Sequence, residues 1–233
     1  MLKEIRCIKK KIILTIVIGI VPIINSAAVV EKITNISKPL ICQITPEIIA
    51  DSHYPNSIHT SNNLRREQGG GFIANGLPII ITGFVMDEDC LPLTNATITI
   101  WHTNTYGSYQ LETIKDNENN NISKNKIDLN FMGNGQSYTD NTGMYHFLTI
   151  LPGSYEKNPP YINISIQHND FPDFDTIILF PMHHKNTEFI QKHNIPSELS
   201  NFIIANQIAD SADNEKVFLF NVTLPGKNNY KRY

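Results

Sequence analysis

Few residues of this chain could grip a metal or carry electrons, and their spacing sorts them. The three cysteines are Cys7, Cys42 and Cys90. None has a second cysteine or a histidine at the interval used by zinc sites. His102 follows Trp101 in the alternating run "ATITIWH", where a lone imidazole typically makes a structural hydrogen bond. His183 and His184 are adjacent in "FPMHHKN", and neighbours on extended backbone point apart rather than at one ion. The stretch "NPPYINISIQ", Asn158 to Gln167, alternates. Ile162, Ile164 and Ile166 point one way and Tyr161, Asn163, Ser165 and Gln167 the other, as on a half-buried strand. His168 lies seven residues beyond Tyr161, which puts it on the opposite face from that tyrosine.

The elements that must position such groups are bounded by length and composition. A chain of 233 residues suits one ordinary domain, and 41% hydrophobic with 18% charged residues fits a soluble globular protein. The N-terminus "MLKEIRCIKKK" is basic, an apolar run follows from Ile12 to Ile24, and the small residues Ser26, Ala27 and Ala28 close it. That is the pattern of a secretory signal peptide cut near Ala28. The apolar run contains Pro22 and falls short of the roughly 20 residues a spanning helix needs. The protein is therefore expected to be exported, periplasmic or secreted, with no membrane attachment after cleavage. Loss of residues 1–28 removes five positive charges and one negative, taking the formal charge from −3 to −7. Such a balance gives no electrostatic basis for binding nucleic acid or an anionic membrane. Cys7 departs with the leader. Cys42 and Cys90 remain, and in an oxidising compartment a disulfide is the expectation, with two buried thiols as the alternative.

Residues 29–76 read as an irregular segment, with "SNNLRREQGGGFIANG" at its end. Strand signals then come in series over 77–233: "PIIITGFVM" (Pro78–Met86), "ATITIWH" (Ala96–His102), "GMYHFLTI" (Gly143–Ile150), "YINISIQH", "DTIILF" (Asp175–Phe180) and "KVFLFNVTL" (Lys216–Leu224). A long polar loop, "ETIKDNENNNISKNKIDLN", separates the second and third of these. One helix is expected near Ser197–Gln207, after Pro196 and capped by Ser197. Short strands, turn signals and one late helix indicate an all-β sandwich.

Four stretches, in order, resemble the intradiol ring-cleavage dioxygenases, in particular the protocatechuate 3,4-dioxygenase beta-subunit type and its exported relatives. They are "CQITPE", "DCLPLTNATITIWHTNTYGSY", "NFMGNGQSYTDNTGMYHFLTILPGSY" and the strand from Tyr161, and the likeness runs from about Cys42 to Glu188. It implies a β-sandwich of the intradiol dioxygenase type with long loops. Cys42 and Cys90 both fall where exported members have cysteines. The family's chemistry uses Fe(III), a hard Lewis acid, held by two tyrosines and two histidines. A catechol binds the iron through both oxygens, displaces one tyrosine and is opened by dioxygen between its hydroxyl-bearing carbons.

Carried over residue by residue, the second iron tyrosine matches Tyr155. The histidine pair falls on Tyr161 and Asn163, and the arginine before it on Asn158. The first iron tyrosine falls near Ser123, in a loop without tyrosine between Tyr109 and Tyr138. Of the pocket's leading segment only Tyr54 remains. With one ligand of four retained, the resemblance implies an intradiol family protein with a degenerate iron site and weak or absent ring cleavage. Its partners would be a catechol-type small molecule if active, and a homo- or hetero-oligomer with a dioxygenase-like subunit. The alternative is a non-catalytic sandwich, either a sister subunit like the iron-free one in protocatechuate dioxygenases or a binding or adhesion module. A rearranged site would draw on Tyr155 and Tyr161 with His168, His183 or His184.

Overall fold

A computed structural model describes residues 42–49, 53–67, 69–110, 128–210 and 215–227. The chain divides into Met1–Pro39 and Leu40–Tyr233. The described residues all belong to the second unit. The expected signal peptide and the Ser123 position lie outside them.

Among the described residues, nine strands form two sheets. β1 (Pro78–Met86), β4 (Met144–Ile150), β7 (Asn206–Asp210), β8 (Lys216–Leu219) and β9 (Val222–Thr223) make one, in the order β4-β1-β8-β7 with β9 also on β1. β2 (Thr97–Trp101), β3 (Asn134–Tyr138), β5 (Tyr161–His168) and β6 (Phe171–Leu179) make the other, in the order β3-β2-β5-β6. The second sheet is antiparallel throughout. In the first, β1 pairs antiparallel with β4 but parallel with β8 and β9.

β1 shows why these residues form strands. Its β-branched run alternates buried and half-buried positions along its whole length, so Ile79, Ile81 and Val85 enter the core and their neighbours face away. Opposite them come Ile98 and Ile100 from β2 and Ile162, Ile164 and Ile166 from β5, all fully buried in one cluster. Each such side chain contributes about 1.5–3 kcal/mol by leaving water.

The segment before β1 is irregular, yet it is built into the sandwich. Leu64 is fully buried in the core, while Leu64 N–H and the carbonyl of Asn62 bond Leu148 at the edge of β4. Ser61 covers β3 through Gln136 N–H, and Ile48 N–H reaches Asp175 on β6. Cys42 and Cys90 are joined, Sγ to Sγ at 2.10 Å, which pins the start of this segment to the turn after β1.

Three expectations need correction. The strand "YINISIQH" is not half-buried: six consecutive residues, Tyr161 to Ile166, are buried, so both faces are covered. The helix expected at Ser197–Gln207 is absent. α1 lies earlier, at Asn186–Lys192, and only a 3-10 turn forms at Ser200–Ile203. The exposed edge of β6 decides the matter. Ala205 N–H bonds the Leu179 carbonyl and Asn206 begins β7, so the demand for sheet hydrogen bonds overrides local helix propensity. Ser197 bonds Glu198 and Ser200 rather than capping a helix. Finally, the run Lys216–Leu224 breaks at Phe220, whose carbonyl passes so close to β1 that a Cβ on Gly83 would lie 1.8 Å from it.

Candidate functional site

The outer face of β5 carries the site. Tyr161 and Asn163 stand two residues apart on that face, 7% and 1% exposed, although neither is apolar like the core. What covers them comes from elsewhere in the chain. Tyr161 packs in a second cluster with Ile48 from the leading segment, Ile177 and Leu179 from β6, Phe189 from α1 and Ile203.

A second tyrosine is delivered by a tight loop. After β2 the chain turns through Asn104, whose side-chain oxygen accepts from Tyr106 and Ser108 N–H, and whose carbonyl accepts from Gly107 and Gly153 N–H. Thr103 Oγ1 donates to the Gly153 carbonyl at 2.8 Å. Gly107 sits at φ +79, and a Cβ there would lie 2.2 Å from the Ser154 carbonyl, so only glycine lets the two loops approach. The stitching sets Tyr109 beside Tyr155, ring centroids 5.1 Å apart at 69°.

These side chains form a directed hydrogen-bond chain. Asn163 Nδ2 donates to the Trp101 carbonyl at 3.3 Å and to Tyr109 Oη at 3.2 Å. Tyr109 Oη donates in turn to Tyr161 Oη at 3.3 Å. With Nδ2 on the Trp101 carbonyl, buried Asn163 Oδ1 has no hydrogen-bond partner among the described residues. His53, from the leading segment, stacks on Tyr109 with centroids 4.3 Å apart at 7°, and its Nε2 lies 3.3 Å from Tyr155 Oη.

A cleft of about 410 Å³ opens over this cluster. Its polar lining includes His53, Tyr155, Tyr161 and Asn163, and its apolar walls Ile48, Ile177 and Phe189. Asn158 lies at its side, where Lys192 Nζ donates to Asn158 Oδ1 at 3.4 Å. His193 stacks on Phe189, and partial burial, then the charge of Lys192, holds its imidazole below the ordinary range.

Of the residues read from sequence, Tyr155, Tyr161, Asn163 and Asn158 meet at this cleft. Tyr54 does not line it. Its ring packs edge-on against Trp101 at 4.9 Å, and its neighbour His53 takes the inward position. His102 is a core residue: its ring nitrogens contact the Thr103 carbonyl at 2.7 Å and Thr149 Oγ1 at 2.8 Å. His168 contacts the Thr94 carbonyl, and His183 and His184 stack on each other in a loop. None of these three lines the cleft. His53 and Tyr109 were not singled out as site residues from the sequence. The only signal for Tyr109 was the turn around Gly107, and His53 had none.

The donors present do not fit the ferric set that the resemblance implies. At the two strand positions stand an amide whose N–H groups, not a lone pair, face Tyr109, and a phenol that accepts a hydrogen bond from another phenol. The one imidazole in the cluster comes from a different segment and contacts Tyr155. Among the described residues no group of three His, Cys, Asp or Glu side chains converges as a metal cage.

Comparison with known proteins places the chain. A family profile described as Dioxygenase matches residues 49–217. A putative dioxygenase of Rickettsia bellii is 32% identical over 135 residues, 58% of this chain and 64% of that protein, so the match spans under two thirds of the relative's length. The protocatechuate 3,4-dioxygenase beta chain of Burkholderia cepacia is 36% identical over 87 residues, 36% of this chain and 34% of that one. Among solved structures, the dioxygenase domain of a dioxygenase and carbohydrate-binding fusion from Streptomyces sp. SirexAA-E superposes with a TM-score of 0.59 at 20% identity, covering 78% of this chain and 99% of that one. Catechol 1,2-dioxygenase from Acinetobacter sp. ADP1 gives 0.58 at 18% identity, covering 86% and 67%. At such identities the structures speak for the fold alone, but with the profile match over most of the sequence they make the conclusion plain: this chain belongs to the dioxygenase family, in its intradiol ring-cleavage branch.

Proposed function

We propose that this protein keeps the ligand cleft of an intradiol dioxygenase but has replaced the ferric centre with a hydrogen-bonded phenol and amide cluster, so that ring opening is weak or absent. The observation that carries this reading is the Asn163–Tyr109–Tyr161 chain of hydrogen bonds. It commits the two strand positions to one another instead of to a shared ion. In a working member, Fe(III) supplies the activation of the catechol toward dioxygen. Here the chain's own residues can bind and orient. Tyr155 and His53, 3.3 Å apart, can exchange hydrogen bonds with a ligand hydroxyl, and Ile48, Ile177 and Phe189 offer flat apolar contact to a ring. A catechol-type molecule is the proposed occupant.

A second reading is a sister subunit assembled with an iron-bearing, dioxygenase-like chain. It is suggested by the mismatch with a ferric ligand set, together with the likeness to a protein named as the beta chain of protocatechuate 3,4-dioxygenase, a name that implies a second kind of chain in that protein. With either reading we propose an exported protein in an oxidising compartment, for which the Cys42–Cys90 bond is the support.

The test is a ring-opening assay. The protein is supplied with ferrous iron and dioxygen, and catechol and protocatechuate are followed by ultraviolet absorbance and oxygen uptake. Ligand binding without turnover is the expected result. Turnover that rises with bound iron and stops on its removal overturns the proposal.

A further inference from the structure

We infer that the cleft and the recess beside it form one binding site for a planar apolar ligand bearing an oxyanion group, with Lys192 selecting for that charge. The inference rests on reading the cleft as a ligand site and not on the state of the metal centre.

Two cavities meet here. The cleft of about 410 Å³ and a recess of about 220 Å³ share Asn158, Phe189 and Lys192 in their walls. Among the described residues Lys192 is the lysine or arginine that lines the cleft, and the recess adds Lys157 and Lys185. Glu156 lines the cleft and Glu188 the recess, but neither pairs with these lysines. Ion pairs among the described residues are Arg65–Glu215, Lys227–Asp89 and His168–Asp170. The three ammonium groups around the shared wall therefore have no carboxylate partner among the described residues, in a chain whose formal charge is −3.

The field they make is felt nearby. His183 sits below the ordinary imidazole range, from partial burial first and then from His184 and Lys185, and His193 does so from burial and then Lys192. Lys192 is also placed rather than free, since its Nζ meets the Asn158 amide oxygen at 3.4 Å. The geometry assigns the ring to Phe189 and Ile177 in the cleft and the anion to Lys192 in the wall that cleft and recess share. A larger, more highly charged group would extend to Lys157 and Lys185. Carboxylate and phosphate share this chemistry and differ in how far they draw on the recess.

The experiment titrates the full chain with 3-phenylpropionate, its neutral isostere 3-phenylpropionamide and phenyl phosphate, by calorimetry or ligand-observed NMR. The carboxylate should bind about five- to tenfold more tightly than the amide, the range of a charge-assisted contact at a partly exposed site. Lys192→Met should erase that preference, Lys192→Arg should keep it, and added salt should weaken only the anions. A loss of phenyl phosphate binding in Lys157→Met/Lys185→Met, with 3-phenylpropionate unchanged, would assign the recess to phosphate. Equal affinity for carboxylate and amide, binding of neither, or a preference that survives Lys192→Met each overturns the inference. Iron-dependent ring opening would overturn the proposed loss of the ferric centre and leave this charge preference standing.

Discussion

The two faces of β5 are buried almost equally and are made of different material. Inward, Ile162, Ile164 and Ile166 are fully buried between the sheets. Outward, Tyr161, Asn163 and Ser165 are 7%, 1% and 7% exposed, with Tyr161 packed against Ile48 of the leading segment and Phe189 of α1. The inner face is dictated by the fold, because any sandwich needs apolar side chains there. The outer face is not so dictated. Polar groups stay buried there because Tyr109, the Trp101 carbonyl and one another satisfy them, and even so Asn163 Oδ1 has no partner among the described residues. One strand thus holds a structural face and a chemical face, and substitutions should separate the two.

The largest expected effect is on the inner face. Ile164→Ala should cost about 2–5 kcal/mol in urea unfolding by opening a cavity between the sheets, while ligand binding by the folded fraction should be unchanged. If the loss is below about 1 kcal/mol, the inner face is less tightly packed than described.

A polar group inside the apolar interior gives the next effect. Full burial lowers His102 from 6.5 to about 4, against a smaller raising effect of its bond with the Thr103 carbonyl. Because the folded pKa is depressed, the folded protein holds the neutral imidazole and the unfolded chain takes up the proton first. The contribution is therefore complete above pH 6.5, is lost as pH falls, and levels off near 4, about 3 kcal/mol in all. Unfolding curves for the wild type and His102→Gln at pH 7 and pH 4.5 isolate it. The wild type should lose the larger amount, and parallel losses would contradict the assignment.

The outer face depends on the loop that delivers Tyr109. Gly107→Ala forces a side chain into a left-handed φ and toward the Ser154 carbonyl, so it should cost about 2 kcal/mol or more. It should also change the fluorescence and ligand binding of the cleft, which Ile164→Ala should not. The smallest effect is Tyr109→Phe. It removes one hydroxyl from the chain between Asn163 and Tyr161 and should cost about 1–2 kcal/mol, the range for a partner left unsatisfied in a buried site.

The same contrast explains what was legible. Alternation in "PIIITGFVM" and "YINISIQH" gave β1 and β5 to the residue, because β-branched runs carry their own signal. β3 and β7, "NGQSY" and "NQIAD", carry none, and form because β2 and β8 offer edges to pair with. The cover over the outer face was illegible for a similar reason. It is assembled from residues more than 100 positions apart, such as Ile48 bonding Asp175, and no local pattern encodes such contacts. Tyr155, Tyr161 and Asn163 were found by resemblance. His53 and Tyr109 became visible only through the loops that carry them.

The most direct test of the central claim is the metal content of the protein purified without chelators, read together with its visible spectrum. The account predicts a colourless protein with iron far below one equivalent, in which Tyr161→His/Asn163→His raises iron uptake. Stoichiometric iron in the wild type, with the charge-transfer colour of tyrosinate bound to it, would contradict the account and show that the cluster of Tyr155, Tyr161, Tyr109 and His53 is itself a metal site.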